Sequence, residues 1–267
     1  MYDFHLKLFE ILPEWVVLWA YPLGTLLVMS LLAVIFRKLV YSVKLYDEDT
    51  DVIDTATQNS LSAAYVIMGF TLVLVMGSAD NYETNVRTEG TQIESLDRLL
   101  LLDGSQEALD MRKDLLQYAS SVINDDWPMM NAGGSPETEK LMDTLTQNLM
   151  NLSPDTVKQK LLFDNIVNKT DQIILSREIR LSNATGGLPV LFWTISYLYL
   201  LGVAVICALR LCHATPIRII ALSTQVTMLA LIFSAVMIID HPYSGQTKIS
   251  AEPIEQAVKT LQAMQGR

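Results

Sequence analysis

The chain has 267 residues, 51% of them hydrophobic, with a mean hydropathy of +0.30 and a net charge of -10. Apolarity of that order argues against an ordinary soluble protein of this length. Residues 80–187 carry 18 acidic and 10 basic side chains, so -8 of the -10 lies in the middle of the chain. That excludes nucleic acid as a partner there, because such binding depends on Lys and Arg neutralising phosphates, and it disfavours that stretch lying flat on anionic lipid.

In chain order, residues 1–12 place Phe4, Leu8 and Ile11 on one face of a short amphipathic helix at the interface, before Pro13. The first uncharged apolar run is Trp15–Phe36, with Pro22 inside it as a possible site of a kink. Glu10 and Glu14 precede this run and Arg37-Lys38 follow it, the reverse of a cleaved signal peptide, so it is read as a true span. Trp15, Trp19 and Tyr21 mark one membrane edge, and Trp193, Tyr197 and Tyr199 do the same later. The second run is Leu61–Ala79, reached through a loop that begins basic and turns acidic at Asp47-Glu48-Asp49 and Asp51.

The middle of the chain reads as helices. Val86, Ile93, Leu96 and Leu100 form one stripe, Ala108, Met111, Leu115, Tyr118 and Val122 a second, and Leu141, Leu145 and Leu149 a third. Residues 131–136 form a loop. Ser153-Pro154-Asp155 opens a long helix that runs to Ala184 and stops at Gly186-Gly187. The third and fourth runs, Leu188–Leu209 and Ile219–Ile239, are separated by so few residues that they form an antiparallel hairpin. Each run matches the ~20 helical residues that cross a ~30 Å hydrocarbon core. The expected architecture is therefore an all-α polytopic membrane protein. It has four transmembrane helices in two pairs, with a helical aqueous domain inserted between them. Its parts are 1–79, 80–187, 188–239 and a C-terminal tail, 240–267. Basic Arg37, Lys38, Arg210 and Arg218 fringe the short loops. The positive-inside rule then places the aqueous domain and both termini in the periplasm of a cell with an inner membrane.

Catalytic chemistry has no foothold. The middle domain holds no histidine and no cysteine. Cys207 and Cys212 are a membrane-edge pair, and His5, His213 and His241 are scattered, which gives neither a disulfide framework nor a metal spacing. Asp125-Asp126 reads as helix-end charge rather than an acid–base pair. No enzyme activity, cofactor or metal is expected.

The spans are more informative. Their interiors carry no ionisable side chain, unlike most ion-coupled transporters. Small and hydroxyl residues recur instead. In the second span Ser60, Ala64, Thr71 and Ser78 fall at helical spacing with Gly69 and Gly77, and in the fourth Ser223, Thr227 and Ser234 do so. Two readings remain open: the lining of a water-filled pore gated by apolar neighbours, and close helix–helix packing. For the pore, the lining candidates are Ser60, Ala64, Thr71, Leu72, Val75 and Ser78, with Asp80, Glu83 and Arg87 at its mouth. Asp240 directly follows the fourth span, where it can accept backbone hydrogen bonds, and Pro242 and Gly245 suit a tight turn.

An ordered set of short motifs resembles the bacterial bestrophin-like membrane family. Gly69-Phe70 is followed by Arg87 and the stretch from Glu89 to Glu94, then by Arg112, Leu116, Tyr118 and Asp126-Trp127-Pro128. Arg180-Leu181, Leu188-Pro189 and Trp193 come next, and Asp240, Pro242, Gly245, Ile249 and Glu252-Pro253 close the set. The resemblance spans nearly the whole chain and marks Glu89, Arg180, Trp193, Asp240, Pro242 and Gly245 as structural positions. It implies kinship with bestrophins, homopentameric anion channels whose second span lines the pore. It therefore implies a homo-oligomer in the lipid bilayer that passes inorganic ions. The alternative is a non-conducting scaffold or sensor whose helical domain binds an envelope partner.

Overall fold

The computed structural model describes residues 12–40, 47–185, 187–211 and 214–265. The expected N-terminal amphipathic stripe, His5, Cys212, His213 and Gly186 lie outside the described residues. Eight α-helices account for most of the rest: α1 Glu14–Val40, α2 Asp47–Asp103, α3 Gln106–Ser121, α4 Pro136–Asn151, α5 Val157–Thr185, α6 Val190–Leu211, α7 Pro216–Ile239 and α8 Glu252–Gln265. There is no strand among the described residues. Four helices are long and apolar enough to cross a membrane, and the protein is an all-α, multi-pass membrane protein.

The chain divides into two compact units, one of residues 1–79 and 188–247, the other of 80–187 and 248–267. In the first, α1 packs mainly against α7 and α6. Its helix continues unbroken through Pro22. Val17 and Met29 turn inward to meet Val203, Cys207, Val226, Phe233 and Met237, while Leu61, Ala64, Met68 and Val75 of α2 join the same core. An aromatic knot of Tyr21, Trp193, Tyr197 and Phe233 sits within it, with ring centroids 5.0–6.4 Å apart. Trp193 and Tyr197 therefore belong to this packed knot rather than to an edge belt. Trp193 is only 2% exposed, and the Tyr21 and Tyr197 hydroxyls bond each other at 2.8 Å. Trp15 and Trp19 are exposed, as an interfacial pair requires.

In the second unit the amphipathic stripes become buried faces. Val86, Ile93, Leu96 and Leu100 of α2 and Ala108, Met111, Leu115 and Tyr118 of α3 are fully buried. Ser105 caps α3, its hydroxyl accepting from the Ala108 amide, and Ser135 caps α4 ahead of Pro136. Helix α5 starts at Val157, later than Ser153-Pro154-Asp155 suggests. Thr156 and Gln159 form a capping box there. The Gln159 amide donates to the Thr156 hydroxyl at 3.1 Å, and the Thr156 amide donates back to Gln159 Oε1 at 3.0 Å. The C-terminal stretch is not a tail. Ile254, Ala257, Val258 and Leu261 of α8 are buried in this unit, and Gln265 donates to the Arg112 carbonyl of α3.

Candidate functional site

Helix α2 carries the residues assigned to a pore. The structure places Ala64, Thr71 and Val75 in the packed interior of the first unit, each less than 5% exposed. The Thr71 hydroxyl is spent on the Ile67 carbonyl one turn back. Ser60, Leu72 and Ser78 are half-buried, and the Ser60 carbonyl accepts from the Tyr199 hydroxyl. The opposite face of the same span is uncovered. Val66, Phe70, Val73 and Leu74 are between 58% and 71% exposed, and a Cβ added at Gly77 would touch nothing. Beyond the span Asp80, Glu83 and Arg87 are all exposed. Arg87 pairs with Glu83 at 2.6 Å, which leaves Asp80 as the surplus charge of the three.

Two carboxylates anchor backbone at one end of the first unit. Asp240, at the end of α7, accepts from the Leu188 amide at 2.9 and 3.2 Å and also from the Trp193 side chain. Burial pushes its carboxyl up to about 6 against the pull of those two donors. Beside it His241 is buried with Nδ1 against the Met237 carbonyl, and burial holds its pKa below the usual value. Glu14, in the first turn of α1, accepts from the amides of Gln246 and Thr247 and from the Thr247 hydroxyl. Gly245 takes a φ of +82°, and a side chain there would collide with the Glu14 carboxylate. The glycine is required twice, by its left-handed backbone and by that close approach. Pro242 lies buried in the same turn.

The second unit holds a neutral cluster of four charges, with Glu89, Asp126 and Arg180 buried and Arg177 half-buried. Arg180 forks onto Glu89 at 2.8 and 3.1 Å, reaches Asp126 at 3.1 Å, donates to the Met130 sulfur and lies 5.2 Å from the Trp127 ring centroid. Arg177 forks onto the same Asp126 at 2.9 and 3.1 Å. Burial tends to raise the Asp126 carboxyl. The Arg177 hydrogen bonds, the Ser135 amide and the Arg180 charge overcome this and hold it below the usual carboxylate range. A π-helical turn, Val122–Asp126, aims Asp126 inward, and Gly134 at φ +91° lets the following loop close over it. A second buried fork joins Arg112 to Asp97 at 2.8 and 2.9 Å.

Glu89, Arg180, Asp240, Trp193 and Gly245 are thus brought into contacts that hold backbone or charge. The roles of Glu14, Asp126 as a shared acceptor and Asp97 are not visible in the sequence. Their partners lie far away in the chain, and an acidic residue before or after an apolar run reads as solvated. Among the described residues no group of three His, Cys, Asp or Glu side chains is gathered for a metal ion.

Residues 23–254 match the profile of the bestrophin-like domain. No curated protein matches the chain. Among solved structures, a crystal structure of a point variant of a bacterial bestrophin homologue from Klebsiella pneumoniae superposes with a TM-score of 0.63 at 12% identity, covering 94% of this chain and 98% of that one. Another crystal structure of the Klebsiella pneumoniae homologue gives 0.57 at 13% identity, covering 92% and 98%. At such identities the likeness is one of fold, and the profile match carries the membership: the chain belongs to the bestrophin-like family.

Proposed function

We propose that the protein assembles as a homo-oligomer around a transmembrane ion pathway, with the span of α2 facing the axis. The carrying observation is the uncovered face of that span, Val66, Phe70, Val73, Leu74 and Gly77. A glycine inside a helix costs about 1 kcal/mol relative to alanine. In a lipid environment small residues recover that cost where another helix comes close. Nothing within the protomer approaches Gly77, so a second copy is the natural occupant of the space. Kinship with bestrophins supports an axis shared by five copies and an anion as the permeant species. Along such an axis Phe70 and Leu74 form an apolar constriction that gates by excluding water. Asp80, Glu83 and Arg87 follow on the same helix and set the charge at its mouth, and no chemical step is required of any residue.

Cysteine scanning in a cysteine-free background tests the lining. Cysteines at positions 66, 70 and 74 are expected to react with a small aqueous thiol reagent in the assembled protein. Those at 64, 71 and 75 are expected to stay protected. The reverse pattern would move the pathway to the small-residue face, and protection at all six would remove α2 from any aqueous path.

A further inference from the structure

At the end of the first unit where α6 ends and α7 begins, helices α2, α6 and α7 line an open cavity of about 540 Å³. Its wall carries two guanidinium groups and one carboxylate, from Arg210, Arg218 and Asp54. Arg210, in the last turn of α6, is only 8% exposed and is held by Asp54 through an ion pair at both carboxylate oxygens. Its direction is therefore fixed. Arg218, in the first turn of α7, and the side chains of Gln58 and Gln225 are exposed at the cavity mouth and make no hydrogen bond or ion pair among the described residues. The Tyr65 hydroxyl donates to the Gln225 carbonyl at 2.6 Å and pins α2 to α7 along the cavity wall. Leu61 and Leu222 add an apolar lining. In a chain of net charge -10, this is an open hollow with one surplus positive charge and three uncommitted donor side chains at its mouth, at the ends of apolar spans.

We propose that this cavity binds a phosphate group at the membrane edge. Guanidinium forks match tetrahedral oxyanions, so the uncommitted fork of Arg218 can engage one, and Arg210, held in place by Asp54, adds its remaining N–H donors. Gln58 and Gln225 supply neutral donors beside it. The position next to the spans fits the headgroup phosphate of an anionic lipid, with Leu61 and Leu222 against the glycerol and the first acyl carbons. Free phosphate offers the same oxygens without that apolar contact. The proposal rests on the membrane spans and not on conduction, so a protein that passes no ions would leave it intact.

The test uses the full chain in lipid-free mild detergent and follows the melting temperature as ligand is added. Phosphatidylglycerol is expected to raise it saturably, and diacylglycerol with the same acyl chains, which lacks the phosphate, is not. Arg218→Gln should weaken the apparent affinity at least about tenfold, the loss of one charged hydrogen-bond donor. Arg37→Gln removes the same charge from an equally exposed residue at the same end of the bundle but outside the cavity, and should change the affinity less than about twofold. A shift with inorganic phosphate that Arg218→Gln abolishes supports the site with free phosphate as its source. Equal shifts with the two lipids and none with phosphate would overturn the proposal. Equal losses in Arg218→Gln and Arg37→Gln would do the same, since binding would then be diffuse.

Discussion

Arg180 shows what a single buried charge must do in this protein. It sits at 0% exposure between Glu89 and Asp126, and its fork serves both. Arg180→Ala leaves Glu89 buried without its partner, which is expected to cost about 3–5 kcal/mol. Arg180→Lys restores the charge but not the fork and should recover only part of that. Hydrogen exchange across residues 122–135 reads this out: it should accelerate strongly in the alanine variant and partly in the lysine variant. Unchanged exchange would mean the cluster is not a keystone. Asp240 gives a pH dependence of the opposite sign to an ordinary carboxylate. Its folded pKa of about 6 lies above the unfolded value of about 3.9. The stability it contributes is therefore complete below about pH 4 and lost as pH rises through 6, by about 2–3 kcal/mol. The apparent melting temperature of the wild type should fall relative to Asp240→Asn between about pH 4 and about pH 7. Comparing the two chains cancels His241, whose lowered pKa acts the other way in both. Parallel curves would refute the shift.

At the scale of elements, close approach explains residues that propensity alone would reject. Gly90 is in the interior of α2, where glycine is disfavoured, yet a Cβ there would lie 2.7 Å from the Pro253 carbonyl oxygen. Gly90→Ala is expected to cost about 1–3 kcal/mol and to loosen α8, through overpacking against backbone that cannot rotate away. Limited proteolysis should then cut the 248–265 segment faster than in the wild type, and an equal rate would show that the contact is slack. The helices of the second unit are readable because their apolar stripes recur at 3.6-residue spacing and become the fully buried faces of α2 and α3. Two subtler signals lie in the same chain. Thr156-Val-Lys-Gln159 is a capping box that sets the start of α5 more sharply than Pro154 does. Ile254, Ala257, Val258 and Leu261 repeat at helical spacing within 240–267 and mark a packed helix there rather than a tail.

For the whole molecule, the four apolar runs make the membrane architecture legible, because an unbroken apolar stretch of that length matches the thickness of a bilayer. The candidate site is legible only in part. Spacing groups Ala64, Thr71 and Val75 on one face of α2 but does not say whether that face meets water or its own protomer, and in the protomer it is packed. A hydroxyl bonded to the carbonyl four residues back, as at Thr71, satisfies itself and permits either environment. Long-range partners such as Glu14 with Thr247 leave no periodic trace at all. The central claim, an ion pathway along the outer face of α2, is tested most directly by conductance in planar bilayers of purified wild-type protein and its Phe70→Ala variant. The prediction is an ion current in the wild type that rises at least about tenfold when the Phe70 ring is removed, as expected for an apolar gate. An intact oligomer that carries no current in either form would contradict it.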